Sequence, residues 1–348
     1  MASEQTAVPA TPAVVKEALA ATGQRRYWPA ELNVLAGLII IALIFEVLGW
    51  IFIGQSFLIN PARLQIMILQ VSIVGIIAVG VTQVIITGGI DLSSGSIVGA
   101  TAMITMSFAQ VSTYARAVYP SLTDMPVIVP IVIGLACGLV AGMINGLIIA
   151  YTKIPPFIAT LGMMVSARGF SNWYTKGQPT SFPTDAYTTI GAGIHPVIIF
   201  VCIAVIFQVL LRYTLYGKRT YAIGSNEYAA RVSGINVERH LILVYTIAGF
   251  LAAVAAIVLS SRNLTAQAGM GFGYELDAIA MAVIGGTSLY GGRGSIIGTA
   301  LGMLIFGTIT SGFTFLRVDA YYQEMIKGVI IIVAVVQDVY RQRLRARG

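Results

Sequence analysis

Residues 127–150 read VIVPIVIGLACGLVAGMINGLIIA, a stretch without a charge in which Gly134, Gly138, Gly142 and Gly146 recur at every fourth position. About 20 apolar residues cross a bilayer as a helix, because lipid offers the backbone no hydrogen-bond partner and a helix satisfies its own. Four-residue glycine spacing lays a stripe without side chains along one face of that helix, against which another backbone packs closely. The stretch therefore reads as a membrane helix with a built-in packing face. Gly294, Gly298 and Gly302 repeat the spacing into a later apolar segment.

Working outward, ten segments of this kind are placed, at about 33–54, 64–86, 94–112, 127–150, 157–174, 194–213, 241–261, 275–290, 296–315 and 320–338. The second, third, fifth and eighth are short or broken by glycine and polar residues. Composition agrees: 57% of the 348 residues are hydrophobic and 10% are charged, against about 25% charged in a soluble domain. The mean hydropathy is +0.85. The fold class is thus an all-α polytopic membrane protein of about ten transmembrane helices. Residues 1–30, rich in Ala, Thr and Pro, read as a disordered cytoplasmic tail. Residues 31–340 form the transmembrane domain, with a cytoplasmic loop at 214–240, and 341–348 a basic cytoplasmic tail.

The net charge of +7 is a topology signal. With the N-terminus inside, 14 of the 21 Lys and Arg residues fall in inner segments and five in outer ones (Arg63, Arg116, Lys176, Arg262 and Arg317); Arg168 and Lys327 lie within spans. That excess follows the positive-inside rule and puts both termini in the cytoplasm. Nucleic acid is not an expected partner, since the basic residues lie between apolar runs; membrane lipid is. Cys137 and Cys202 read as inert core thiols.

Ionisable and amide groups within a membrane domain are functional candidates, because burying them is costly. Asp91 leads, in Thr87-Gly88-Gly89-Ile90-Asp91-Leu92-Ser93-Ser94 between two spans. The glycine pair breaks one helix, and Asp91 or Ser93 is suited to cap the next; both are also candidates for the substrate pathway or gating. Gln83 and Asn145 join them, as amides that bond a neighbouring helix or a solute. Glu324 and Lys327 are spaced to neutralise each other, and Glu46, Arg168, Glu275 and Asp277 receive no role. Gly88-Gly89-Ile90-Asp91-Leu92…Gly95-Ser96-Ile97-Val98-Gly99 is echoed by Gly285-Gly286-Thr287-Ser288-Leu289…Gly294-Ser295-Ile296-Ile297-Gly298, a pattern suggestive of an internal repeat. Gly269-Met270-Gly271-Phe272-Gly273 reads as a flexible outer loop.

Several chemistries are missing. No Gly-x-x-x-x-Gly-Lys-[Ser/Thr] run exists to cradle phosphates, His195 and His240 lie in loops on opposite faces, and no nucleophile–base–acid set stands out. No catalytic residue and no metal ligand is therefore assigned. An ion-coupled secondary transporter of a small polar solute remains an alternative, weakened by the lack of an Asp/Glu/His relay. A membrane enzyme lacks a clustered acid–base site.

The longest inner loop runs YGKRTYAIGSNEYAARVSGI over 216–235. Residues 226–232 have helical composition, with Ser225 or Asn226 as the N-cap and Gly234 as the stop. A short amphipathic cytoplasmic helix carrying Ala229 and Ala230 suits docking into a partner's groove or lying at the membrane surface.

Ala222-Ile223-Gly224-x-Asn226 with Ala229-Ala230-x-x-Ser233-Gly234-Ile235 resembles the ATPase-coupling loop of bacterial ABC-importer permeases of the ribose/xylose/galactose family. Gly89-Ile90-Asp91-Leu92-Ser93-x-Gly95-Ser96, Asn145-Gly146, Pro156-Phe157-Ile158-x-Thr160-Leu161-Gly162 and Gly285-Gly286-x-Ser288-x-x-Gly291-Gly292-x-Gly294 are similar to the same family, in consistent order over about residues 35–340. The resemblance implies a multi-pass permease of the bacterial inner membrane. It also implies a second permease subunit, identical or paralogous, and a periplasmic sugar-binding protein that delivers a monosaccharide or polyol. A cytoplasmic ABC ATPase would carry the ATP and Mg that this chain does not bind, docking at Ala222, Gly224, Asn226, Ala229, Ala230, Ser233 and Gly234.

Overall fold

The computed structural model of the chain describes residues 30–346. The segment read as an N-terminal tail lies outside them except for Ala30, where the first helix begins. The regular structure of the described chain is predominantly helical: α1 Ala30–Phe52, α2 Pro61–Ile86, α3 Ser94–Phe108, α4 Ile128–Thr152, α5 Pro156–Tyr174, α6 Asp185–Gly191 and α7 His195–Tyr213 come first. Then follow α8 Leu215–Ser225, α9 Glu227–Val232, α10 Val237–Asn263, α11 Tyr274–Ile284, α12 Ile296–Phe315 and α13 Ala320–Ala346. A two-stranded antiparallel ribbon pairs β1 Thr180–Ser181 with β2 Thr265–Ala266.

Local chemistry sets most boundaries. Asn60 accepts from the Arg63 amide and Pro61 opens α2, an N-cap followed by a residue with no amide to satisfy. Asn236 accepts from Arg239 to start α10, and Ser295 accepts from Gly298 to start α12. Lys153 takes the left-handed conformation at the end of α4, and Pro155-Pro156 then prevents the helix from continuing.

Among the described residues, six helices are long and apolar enough to cross a membrane: α1, α2, α4, α7, α10 and α12. The other four expected segments are also helical, with corrections. The third stops at Phe108 and the eighth at Ile284, well short of 112 and 290. At 1.5 Å per residue, the 15-residue α3 and 11-residue α11 reach about 22 Å and 16 Å, less than the ~30 Å hydrocarbon core. Helix α3 is almost wholly buried and α11 is buried over most of its length, from Ala278 to Val283, and irregular backbone at membrane depth is tolerated where protein covers it. The last helix extends beyond the expected 338, α13 running on to Ala346 through most of the basic segment 341–348.

Buried α2 forms the centre, enclosed on every face from Val71 to Thr87, with α10, α11, α12 and one face of α7 around it. Helices α1, α7 and α13 lie outside and present broad apolar faces, among them Ile51, Phe52, Val205, Ile332 and Val336. The α4 stripe lies against α10. A methyl at Gly138 would overlap the Gly249 carbonyl, one at Gly142 the Tyr245 carbonyl, and one at Gly146 would stand 2.7 Å from Ile242 Cα. Gly134 meets the Thr105 hydroxyl of α3, and Gly298 and Gly302 meet the carbonyls of Gly285 and Met281. Of the two expected core thiols, Cys137 is half-buried and Cys202 exposed on α7.

Candidate functional site

The loop between α7 and α10 is almost wholly helical, as α8 and α9 joined at Asn226. This residue ends α8 through its amide, which donates to the Ala222 carbonyl at 3.1 Å. Its side chain caps α9, accepting from the Ala229 amide at 2.9 Å. Gly234, with φ +83°, then ends the element, and the Ser233 hydroxyl donates back to the Ala229 carbonyl.

Ala230 is buried with Ile223 and Val237 under α9, and Ala222 is packed against the same cluster. This places Ala229 and Ala230 on different sides of the helix: the exposed face is made by Tyr228, Ala229 and Val232 with Asn226 and Ser233. Six residues make fewer than two turns, so adjacent positions diverge by about 100°. Arg231 binds Glu238 at 2.6 Å and Glu227 at 3.1 Å. Those carboxylates, Glu238 foremost, raise its already high pKa. Gly224 is not on the exposed face: a Cβ there would overlap the Ile86 carbonyl and stand 2.5 Å from the Gly292 amide.

Asp91, Ser93 and Asn145 meet in one buried chain of hydrogen bonds. Asp91 Oδ1 accepts from the Ser93 amide at 2.8 Å and the Ser93 hydroxyl at 2.6 Å, while Asn145 Nδ2 donates to Ser93 Oγ at 2.8 Å. Asp91 is thus part of an Asx turn leading into α3, while Ser93, at the N-cap position, makes no side-chain cap bond. The turn is held from α5 by Thr160, whose hydroxyl accepts from the Leu92 amide at 3.1 Å and donates to the Ile90 carbonyl at 3.2 Å. Asn145 Oδ1 and the Tyr245 hydroxyl, which abuts Gly89, are buried without a partner among the described residues. Gln83 stands apart from this group: its amide donates to the Val79 carbonyl and its carbonyl accepts from Tyr216 at 2.6 Å.

Tyr245, Thr160 and Tyr216 were not singled out from sequence. Thr160 lay within a quoted motif and Tyr216 at the start of the quoted inner loop, whereas nothing marked Tyr245; residue type alone does not tell which hydroxyl ends up buried.

Of the four unassigned charges, Arg168, Glu46 and Asp277 find partners. Arg168 donates to the carbonyls of Ala268 at 2.5 Å and Met270 at 2.9 Å, so the 269–273 loop, expected to be flexible, is pinned over Gly95 and Gly99 of α3. Glu275 lies beside Gly95, its Oε2 buried without a hydrogen-bond partner among the described residues. Glu46 accepts from Trp50, Ser56, Phe57 and Leu58, fixing the α1–α2 turn. Lys327 lies 3.0 Å from Glu324 and 3.9 Å from Asp277.

A cavity of about 310 Å³ separates α9 from the glycine turn after α2, lined by Thr87, Gly89, Lys153, Glu227, Arg231 and Tyr245. A second, of about 1170 Å³, opens between α2, α11, α12 and α13, with Arg63, Gln70, Asp277, Glu324 and Lys327 in its walls. No group of three or more metal-ligating side chains is assembled among the described residues.

The sequence pattern of a family described as "Branched-chain amino acid transport system / permease component" matches residues 63–335. Similar proteins include the ribose import permease protein RbsC of Bacillus subtilis, 42% identical over 88% of this chain and 92% of the relative. That of Escherichia coli K12 is 38% identical over 91% and 98%. The galactose/methyl galactoside import permease protein MglC of Haemophilus influenzae is 37% identical over 84% and 90%. No solved structure matches the chain.

Proposed function

The chain belongs to the permease family of ribose- and galactose-type ABC importers, a multi-pass protein of the inner membrane, and from that premise we propose that it is the translocation subunit of an ATP-driven importer of a monosaccharide or polyol. In this reading the chain crosses the membrane ten times with both termini in the cytoplasm, α3 and α11 each completing a crossing together with buried extended backbone. The flanking basic residues support that orientation. The chain itself performs no ATP chemistry. Two permease subunits form the pathway, a separate ATPase binds ATP and Mg, and a periplasmic binding protein delivers the sugar and sets its identity.

The observation that carries the reading is α9. It is a short capped helix, backed by its own small core, that presents Tyr228 and Val232 at 78% and 71% exposure. An exposed apolar helix face rimmed by charge fits a hydrophobic groove in a partner. ATP-driven closure of an ATPase pair would displace that helix and favour one of two arrangements of the bundle, the differential affinity of the partner supplying the bias. Of the coupling residues, Ala229 would meet the ATPase directly, Asn226, Ser233 and Gly234 shape the helix ends, and Ala222, Gly224 and Ala230 support it from behind. Asp91, Ser93 and Asn145 would act together in gating, and Gln83 through Tyr216.

Purification with the ATPase tests the coupling role. Ala229→Arg is expected to abolish co-purification and ATP-driven uptake while leaving the amount and monodispersity of the permease unchanged. Uptake undiminished by that substitution contradicts the role assigned to α9.

A further inference from the structure

The two echoed glycine turns meet at α8. The first follows α2, the second follows α11, and in each one glycine of the pair is left-handed: Gly88, the first of its pair, at φ +84° and Gly286, the second of its pair, at φ +94°. They are joined directly, the Gly292 amide donating to the Ile86 carbonyl at 2.8 Å. Helix α8 then touches both. The Tyr216 hydroxyl donates to Gln83 Oε1 at 2.6 Å, one turn of helix before the first break, and the Tyr221 hydroxyl donates to the Gly294 carbonyl at 2.8 Å, at the end of the second. Between these bonds Gly224 fits against the Ile86 carbonyl and the Gly292 amide at once, with no room for a side chain.

The connection to α9 is equally short. Asn226 alone separates the two helices and bonds to both, and Ala230 of α9 packs on Ile223 of α8. No flexible linker intervenes. A displacement of α9 is therefore passed to α8, and through three contacts to two turns that lead respectively into the Asp91–Ser93–Asn145 chain and into α12.

We propose that α8 is a shared lever, in which the Tyr216 and Tyr221 hydroxyls and the Gly224 contact make both glycine turns move as one body with α9. These are positioning residues: they touch neither solute nor ATPase. The inference rests on the reading of α9 as the ATPase-docking helix and adds the route by which its motion reaches the membrane interior. Coupling between distant sites needs a bistable element biased by both, and the joined turns are that element.

The test uses the permease reconstituted with its ATPase and sugar-loaded binding protein in proteoliposomes, comparing wild type with Tyr216→Phe, Tyr221→Phe and the double variant. Each change removes one oxygen and keeps the packing. Three quantities are read: ATPase retained on the permease, ATP hydrolysed, and sugar taken up per ATP. Retention is expected to stay at the wild-type level. Sugar per ATP is expected to fall about threefold in each single variant and about tenfold in the double, the scale of one or two lost hydrogen bonds. A double variant within about twofold of wild type in sugar per ATP would overturn the lever, as would losses that follow ATPase retention in proportion. Wild-type uptake that needs no ATPase would instead overturn the docking reading, and the lever with it.

Discussion

Asn145 shows how a residue gains meaning from its neighbours. In sequence it is an amide beside a glycine in an apolar run; in the fold, its 1% exposure and its bond to Ser93 make it a strut for the Asp91 turn. Asn145→Ala leaves that turn without its α4 support and a small void in its place. It is expected to lower the unfolding free energy by about 1–3 kcal/mol, read as a depressed melting temperature in detergent, and to reduce uptake. Asp91, Ser93 and Asn145 could be named as candidates because polar groups are conspicuous in an apolar chain. The bond that brings Asn145 to Ser93 could not, since the two are 52 residues apart in the chain. Tyr245 and Tyr216 escaped notice because tyrosines are common at membrane interfaces and nothing local distinguishes those with buried hydroxyls.

Helices differ in how far they can be read. For α4, the four-residue glycine period fixed which face is buried, and α10 lies against that face with backbone in contact. Gly142→Ala is expected to prevent normal assembly, because its methyl would strike the Tyr245 carbonyl and the α10 main chain, neither of which can yield cheaply. Gly162→Ala on α5, where nothing lies within 4 Å, is expected to be tolerated or slightly stabilising through helix propensity. Membrane yield and size-exclusion profile of the two variants check the contrast. By comparison α2 is apolar on all sides, so periodicity carried no information about its placement. The lengths of α3 and α11 were misjudged because no glycine or proline marks the end of α3 at Ala109, and because the apolar stretch of α11 was carried past the Gly285-Gly286 turn that stops it. In the loop over 216–235, cap residues located α9, yet α8 was missed because its glycines and polar residues resemble loop composition. The ribbon of β1 and β2 and the helix α6 were missed too, being short and held by tertiary bonds such as that between Tyr187 and Ser260 at 2.7 Å.

For the whole molecule, charge has been more informative than apolarity. The apolar majority identifies a membrane protein, while the distribution of Lys and Arg assigns sides to it. In a variant with Cys137 and Cys202 replaced, a single cysteine at Ser225 is expected to react with a membrane-impermeant thiol reagent only from the cytoplasmic side. One at Arg317 is expected to react only from the periplasmic side. Labelling of both from the same side contradicts the ten-crossing orientation. The broad apolar faces of α1, α7 and α13 are ordinary for a chain bathed in lipid, whereas α9, proposed as the docking helix, carries its exposed apolar residues Tyr228 and Val232 outside any expected span.

The most direct measurement is sugar uptake into proteoliposomes holding this chain alone, or with its ATPase and binding protein, in the presence and absence of an ionophore. The account predicts uptake only in the complete system, dependent on ATP hydrolysis and indifferent to the ionophore. Uptake by the chain alone that an ionophore abolishes would contradict it and identify an ion-coupled transporter.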